Sequence, residues 1–160
     1  MNEWSNFFVA TAGASAALTG LIFVGVSISL SKILSTPTLP ERALISLILL
    51  LTIMILSILF LVPGQSNNML GVEVLLLSFI VWAAISKIDI TTFRKKEKLY
   101  RNYYIMHIVF NQIAILAYLI GGIILLSAPA AGMYWIVLAI VSSFIKAVMD
   151  AWVLLVEINR

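Results

Sequence analysis

Long apolar stretches alternate with short polar segments along the whole chain. The first apolar stretch has no ionisable side chain from Trp4 to Ser31. As a helix it is about 42 Å long, whereas the hydrocarbon core of a bilayer is about 30 Å thick. This pattern predicts a first membrane-spanning helix over about 4–31.

Four further apolar stretches predict four more spans, separated by segments rich in Pro, Gly, Asn or charged residues. Thr38 and Glu41 have capping-box spacing and predict the start of the second span. Asn102 to Ile145 contains no Asp, Glu, Lys or Arg, and is long enough for two spans joined by a turn at Ser127–Gly132. The predicted spans are about 43–62, 69–86, 103–126 and 133–155.

The composition agrees with a membrane protein. Hydrophobic residues make up 62% of the 160 residues and charged residues only 11%, whereas about a quarter of a soluble domain is charged. A water-soluble fold and a disordered chain are both excluded. We therefore predict an all-α, polytopic fold in which residues 1–160 form a single domain, a five-helix transmembrane bundle.

The basic residues are distributed unevenly between the two predicted sides. Half of all Lys and Arg lie from Arg94 to Arg101, and with five spans no Lys or Arg falls on the side of the N-terminus. For a multi-pass membrane protein, the positive-inside rule then predicts the N-terminus outside and the C-terminus in the cytoplasm. We interpret the basic residues of the other side, which include Arg42, as topology signals facing the lipid bilayer, and expect no nucleic-acid partner.

The first span is unusually rich in small residues. Nine of the ten residues from Thr11 to Gly20 are Ala, Gly, Ser or Thr. The pairs Gly13 with Ala17 and Ala16 with Gly20 have the small-xxx-small spacing that lets helices approach closely. We expect this helix to be central, whereas the second span, apolar on every face, belongs against lipid.

A hydroxyl stripe on the same helix has two interpretations. Thr11, Ser15 and Thr19 recur every fourth residue. Their hydroxyls can bond to the preceding turn or to a neighbouring helix. Alternatively, they can line a water-filled path near the axis of an oligomer.

This run, FFVATAG-A-LTGL-FV, resembles the N-terminal segment of small bacterial integral membrane proteins of unassigned activity. The similarity extends toward Leu39–Ala43 and Pro63-Gly64-Gln65. Some of these proteins carry the transferred name of modulator of an AAA-type membrane protease. The resemblance implies a bacterial inner-membrane protein and a possible membrane-protease partner, and it carries over no functional residues.

Polar residues at membrane depth are costly and predict a site. Lys146 and Asp150 are spaced i,i+4 on the fifth span and can pair, as can His107 and Asn111 on the fourth, where Gln112 is adjacent. Counting along the two spans predicts one polar cluster of these four residues. It suits a proton or ion relay, or a structural contact between helices. In a third interpretation Lys146 extends to the headgroups.

Two further features concern the third and fourth spans. Glu73 is expected in the first turn of the third span, where the helix dipole favours a carboxylate. Alternatively, Glu73 attracts cations to an outer mouth. Gly121-Gly122 is expected to allow close packing of the fourth span or a bend.

The sequence offers little chemistry for catalysis. There is no Cys and only one His, so we expect no metal site and no cofactor. No Gly-rich phosphate loop or catalytic triad is present, and we expect no enzyme. The main hypothesis is a homo-oligomeric channel or pore for ions or small solutes, with the first helix near the axis. The alternative is a regulatory or scaffolding subunit of a larger membrane complex, such as a membrane protease.

Overall fold

The computed structural model describes residues 4–36, 39–95 and 101–158, and all regular elements in these ranges are helices. Five of the six are long and apolar enough to cross a membrane, and α2 is the short exception. The predicted all-α fold with five candidate spans is confirmed for this part of the chain, whereas the orientation stays a prediction. The helices are α1 Ser5–Ile28, α2 Leu30–Ser35, α3 Leu39–Leu61, α4 Asn67–Lys95, α5 Arg101–Ser127 and α6 Pro129–Ile158.

The first span ends earlier than predicted and is followed by α2. The chain leaves the α-helical conformation at Ser29, whose φ is −109°. Ser27 donates its hydroxyl to the carbonyl of Phe23 at 2.8 Å. Such bonds from Ser to the backbone compete with regular helix geometry. Thr38 of the predicted capping box lies outside the described residues.

The third span is longer at both ends than predicted. The Ser66 hydroxyl accepts a hydrogen bond from the Met69 backbone N–H at 3.3 Å, and α4 begins at Asn67. Glu73 is consequently beyond the first turn of α4, which contains no acidic residue, so its predicted position is wrong. At the other end α4 continues past Ser86 to Lys95, because charged residues end a membrane span but not a helix.

The predicted turn at 127–132 is much shorter in the structure. Only Ala128 separates α5 from α6, and its carbonyl accepts the Gly132 N–H at 2.9 Å. Pro129 occupies the first position of α6, where its missing N–H and fixed φ fit a helix start. In the earlier turn after α3, Gly64 has the left-handed φ of +78° that glycine adopts without strain.

The helices group into two compact units. Unit 1 comprises Met1–Gln65 and Phe144–Arg160, and therefore contains α1, α2, α3 and the second half of α6. In it α1 packs along α3. Phe8 stacks on Phe60 with ring centroids 4.5 Å apart. A core at the α2 end of this unit consists of Ile33, Leu39, Ala43 and Leu154, with Val26 packed against it.

Unit 2 comprises Ser66–Ser143, and therefore α4, α5 and the first half of α6. Here α4 packs along α5, and glycines lie at the closest approaches. A Cβ added to Gly122 would lie 2.9 Å from the Leu75 side chain, and one added to Gly121 would lie 2.8 Å from Ile136 Cδ1. The predicted close packing at Gly121-Gly122 is confirmed.

Within the chain, burial reverses the predicted roles of the first two spans. Only 17% of the most apolar window of α1 is buried, against 44% for α3. The small residues of α1 cover little surface, whereas the large aliphatic side chains of α3 fill the interior. Leu49, Leu50 and Ile53 of α3 are each fully buried.

Candidate functional site

The hydroxyl stripe of α1 faces α3. Thr11 Oγ1 donates to the Phe8 carbonyl at 3.2 Å and shares a hydrogen bond of 2.8 Å with Ser57 Oγ. Ser15, fully buried, donates to the Ala12 carbonyl at 3.0 Å. Thr19 donates to the Ser15 carbonyl at 2.7 Å. All three hydroxyls are thus engaged inside the chain, as the first of the two interpretations expects.

The opposite side of α1 is an exposed surface of small residues. Seven exposed positions follow one another at alternating spacings of four and three, and we call them the α1 seam: Asn6, Ala10, Gly13, Ala17, Gly20, Val24 and Ser27. A Cβ added to Gly13 or Gly20 would meet no atom within 4 Å in the described chain. This spacing is typical of a helix that packs along another helix with a left-handed crossing.

Unit 1 also contains a buried group of three charges, the Arg42 triad, formed by Arg42, Lys146 and Asp150. Arg42 Nη1 lies 3.6 Å from Asp150 Oδ1, and Lys146 Nζ pairs with Asp150 Oδ2. The exposed fractions of the three residues are 9%, 5% and 2%. One carboxylate therefore lies between two cations at the junction of α3 and α6.

The triad contains one predicted pair, Lys146 with Asp150, and a third residue, Arg42, that is not predicted to belong to it. The Lys146–Asp150 pair forms across one helical turn, as the i,i+4 spacing predicts. Lys146 is buried beside Asp150, which disagrees with the interpretation in which it extends to the headgroups. Arg42 was interpreted as a topology signal, since its position at a polar turn gives no sign of a partner more than one hundred residues away.

Unit 2 contains a second buried polar group, the Asn111 cluster, formed by Asp89, His107 and Asn111. Asn111 Nδ2 donates to both carboxylate oxygens of Asp89, at 3.0 and 3.2 Å, and lies 3.4 Å from His107 Nδ1. Asn111 is fully buried and Asp89 is 1% exposed. Among the described residues no donor reaches Asn111 Oδ1. The carboxylate of α4 is thereby held by the amide of α5.

A neighbouring hydrogen-bond chain connects the same two helices. Trp82 Nε1 donates to Gln112 Oε1 at 3.0 Å, and Gln112 Nε2 donates to Ser86 Oγ at 3.2 Å. Ser86 and Asp89 lie three residues apart on α4, as neighbours on one face. Asn111 and Gln112 thus both bond to α4, which gives the α4–α5 contact a polar layer.

An aromatic ring packs against His107. The Tyr104 ring lies parallel to the imidazole with centroids 5.5 Å apart and an angle of 8°. Phe93 in turn stacks on Tyr104, with ring centroids 6.4 Å apart. Such packing holds the imidazole in one orientation, and His107 is only 8% exposed.

The four predicted cluster residues therefore form two pairs, and each pair has a partner that was not predicted. Asp89 joins His107 and Asn111, and Arg42 joins Lys146 and Asp150. One signal for Asp89 was present, because a carboxylate between Ile88 and Ile90 stands in an apolar context. The joining of the two pairs into one cluster stays a prediction.

Two other predictions concern Glu73 and metal binding. Glu73 is half-buried on α4, and its role as a cation attractor stays a prediction. Within the described ranges no three or more His, Cys, Asp or Glu side chains are grouped to hold a metal ion.

Comparison with known proteins places the chain in no group: no protein family, curated protein or solved structure matches it. The function must therefore be argued from the α1 seam and the two buried polar groups.

Proposed function

We propose that this chain is a scaffolding or regulatory subunit of a larger membrane complex. It binds a transmembrane helix of its partner through the α1 seam. The observation that carries the proposal is the open space over Gly13 and Gly20, on a helix that is long and apolar enough to cross a membrane. The resemblance of the first span makes a membrane protease of the cell inner membrane the first partner to test.

The physical argument concerns what small side chains contribute in lipid. Helix association in a bilayer depends on van der Waals packing and interhelical hydrogen bonds, because lipid tails solvate large apolar side chains as well as a protein does. An Ala and Gly surface gains little from lipid but allows a partner backbone to approach closely. The seam has that composition over Ala10, Gly13, Ala17 and Gly20.

The homo-oligomeric pore is the second candidate, and it stays a prediction. It is compatible with the seam, because a second copy of the chain is also a possible partner helix. A hydroxyl-lined path, however, would require Thr11 and Ser15 to face away from α3. Both side chains are buried, with exposed fractions of 9% and 0%. This is why the scaffolding function is preferred.

Crosslinking from the seam tests the proposal directly. Since the chain has no Cys, a single Ala17→Cys variant labelled with a thiol-reactive photocrosslinker, whose activated end inserts into C–H bonds, reports what contacts the seam in native membranes. We expect a crosslinked product with a larger membrane protein. A Leu138→Cys variant, exposed on α6, is the matched control and gives no such product.

Substitutions then test whether the contact depends on small residues. Gly13→Leu and Gly20→Leu are expected to abolish the crosslink from position 17, whereas Gly25→Leu, the same change in the same helix outside the seam, leaves it intact. A product of only two or more copies of this chain would replace the scaffolding proposal with the pore arrangement. An unchanged partner crosslink in both seam variants would contradict a role for the small residues.

A further inference from the structure

Unit 1 contains an apolar groove. Its volume is about 420 Å³, within the range of about 300–1,000 Å³ of ordinary ligand pockets. Among the described residues that line it, Ser29 alone has a polar side chain. The residues that define its extent lie on α1, α2, α3 and α6: Leu18, Gly25, Ile33, Leu50, Ala151 and Leu154.

The length of the groove matches half of a bilayer. Along α1 its lining runs from Leu18 to Ile28, which is about 15 Å at 1.5 Å per residue. Half of a hydrocarbon core of about 30 Å is about 15 Å. A groove of this length, lined by aliphatic side chains within membrane-spanning helices, fits one acyl chain of a single leaflet.

The Arg42 triad lies beside this groove. Lys146 and Asp150 each precede a lining residue of α6, Ala147 and Ala151. On the α2 side, Ile33 and Leu154 belong both to the groove lining and to the core cluster that contains Ala43, the residue after Arg42. The groove and the charges therefore share one end of unit 1.

Arg42 has hydrogen-bonding capacity that the described chain does not use. Its guanidinium is within ion-pair distance of Asp150 Oδ1, at 3.6 Å, but forms no hydrogen bond with a described residue. The residue is only 9% exposed. An arginine presents five N–H donors in a planar fork that matches the oxygens of a phosphate. A ligand oxygen that accepts hydrogen bonds from these donors would stabilise this arrangement.

The local charge has the sign that an anionic ligand requires. Arg42 and Lys146 carry two positive charges against the one negative charge of Asp150. Lys32 on α2 and Glu41 in the first turn of α3 add one charge of each sign, so these two residues do not change the charge balance within the triad. Basic pockets between transmembrane helices bind the headgroups of anionic lipids in this way.

We propose that unit 1 binds an anionic phospholipid. One acyl chain lies in the groove, and the phosphate oxygens accept hydrogen bonds from the Arg42 guanidinium. The site uses a different face of α1 from the α1 seam and does not depend on the proposed partner. It gives the chain a bound lipid at the leaflet where α2 and the start of α3 lie.

Native mass spectrometry of the purified full chain in mild detergent tests this site, with phosphatidylglycerol and phosphatidylcholine of identical acyl chains as probes. The wild-type protein is expected to retain one phosphatidylglycerol in preference to phosphatidylcholine. Arg42→Lys preserves the charge next to Asp150 and removes the fork, and should weaken phosphatidylglycerol binding about tenfold, or about 1.4 kcal/mol. Lys87→Gln removes an exposed cation of α4 and should leave binding unchanged.

Two further measurements separate the acyl groove from the phosphate contact. Ala151→Leu fills the groove and should reduce retention of both lipids. Inorganic phosphate at a large excess should not displace the bound phosphatidylglycerol, because it lacks the acyl chain. Displacement by inorganic phosphate would overturn the proposal in favour of a free-anion site. Equal retention of the two lipids, or unchanged binding in Arg42→Lys, would also overturn it.

The α1 seam variants allow the partner contact and the lipid site to be tested separately. Gly13→Leu and Gly20→Leu are expected to lose the partner crosslink and to retain the lipid. Loss of lipid preference in Arg42→Lys with an intact crosslink from position 17 would support the lipid site by itself.

Discussion

Glycines in the two units have opposite surroundings. In unit 2 a Cβ added to Gly132 would lie 2.6 Å from the Leu125 Cα, and one added to Gly122 would lie 2.9 Å from Leu75. In α1 of unit 1, Gly13 and Gly20 face open space. Where this chain uses glycine to bring its own helices together, the glycine is enclosed. The open glycines of α1 are thus free to receive a helix from outside the chain.

The two units also differ in what holds their helices together. In unit 2 the contact between α4 and α5 combines enclosed glycines with the Asn111 cluster. In unit 1 the contact between α1 and α3 depends on a ring stack and on the bond between Thr11 and Ser57. The effect of the same Gly→Ala substitution on stability can therefore be compared between enclosed positions in unit 2 and open positions in unit 1.

The largest effect is expected for Gly132→Ala. The added methyl group would meet the backbone of Leu125, which cannot move aside without shifting α5. We expect a loss of about 2–3 kcal/mol in the free energy of unfolding, at the upper end of overpacking costs. Denaturant titration of the detergent-solubilised protein, followed by circular dichroism, measures it. A variant as stable as wild type would show that the α5–α6 approach is looser than described.

Gly122→Ala should have a smaller effect of the same sign. Its methyl group would meet the end of the Leu75 side chain, which can rotate, and Val74 at 3.2 Å. The expected destabilisation is about 1 kcal/mol, because side-chain rearrangement relieves part of the overpacking. The same unfolding titration applies. If Gly122→Ala lowered the free energy of unfolding more than Gly132→Ala does, the surroundings of Gly122 would be more rigid than those of Gly132, against this expectation.

The Thr11–Ser57 hydrogen bond is expected to contribute about 0.6 kcal/mol, the average coupling of polar pairs between membrane helices. A double-mutant cycle of Thr11→Val and Ser57→Ala isolates this coupling from the separate effects of the two substitutions. Because Thr11 can also donate to the Phe8 carbonyl, at 3.2 Å, neither single variant measures the pair. If the effects of the two substitutions were additive, Thr11 and Ser57 would not be coupled, and the α1–α3 contact would depend on ring packing alone.

Gly13→Ala should leave folding nearly unchanged. The methyl group has space, and alanine favours a helix over glycine by up to about 1 kcal/mol, so any change should be stabilising. The contrast with Gly132→Ala is the most direct test of the comparison between the two units. Destabilisation of the isolated chain by Gly13→Ala would mean that the seam is occupied within the chain itself.

Much of the fold follows from local patterns. The number and approximate positions of the spans, the close packing at Gly121-Gly122 and the Lys146–Asp150 pair are all correct. Each depends on hydropathy or on spacing within one helix. The extension of α4 to Lys95 was missed, because polarity marks the end of a membrane span and not the end of a helix.

The partners of the polar groups could not be predicted. Asp89 is not among the predicted site residues and Arg42 is predicted to be a topology signal, whereas both lie within buried polar groups. These contacts join positions 22 and 108 residues apart in sequence. These contacts depend on how each helix is rotated about its own axis. A helix that is apolar on nearly every face has no periodic pattern from which that rotation can be predicted.

The sequence by itself determined that this chain has five candidate membrane spans, because a backbone in lipid must satisfy its own hydrogen bonds and every sufficiently apolar stretch does so as a helix. Only the tertiary structure decided that the hydroxyls of α1 face α3 and that its glycines face outward. The physical reason is that a helix rich in small residues is compatible with many rotations, and the neighbouring side chains of α3 select one of them.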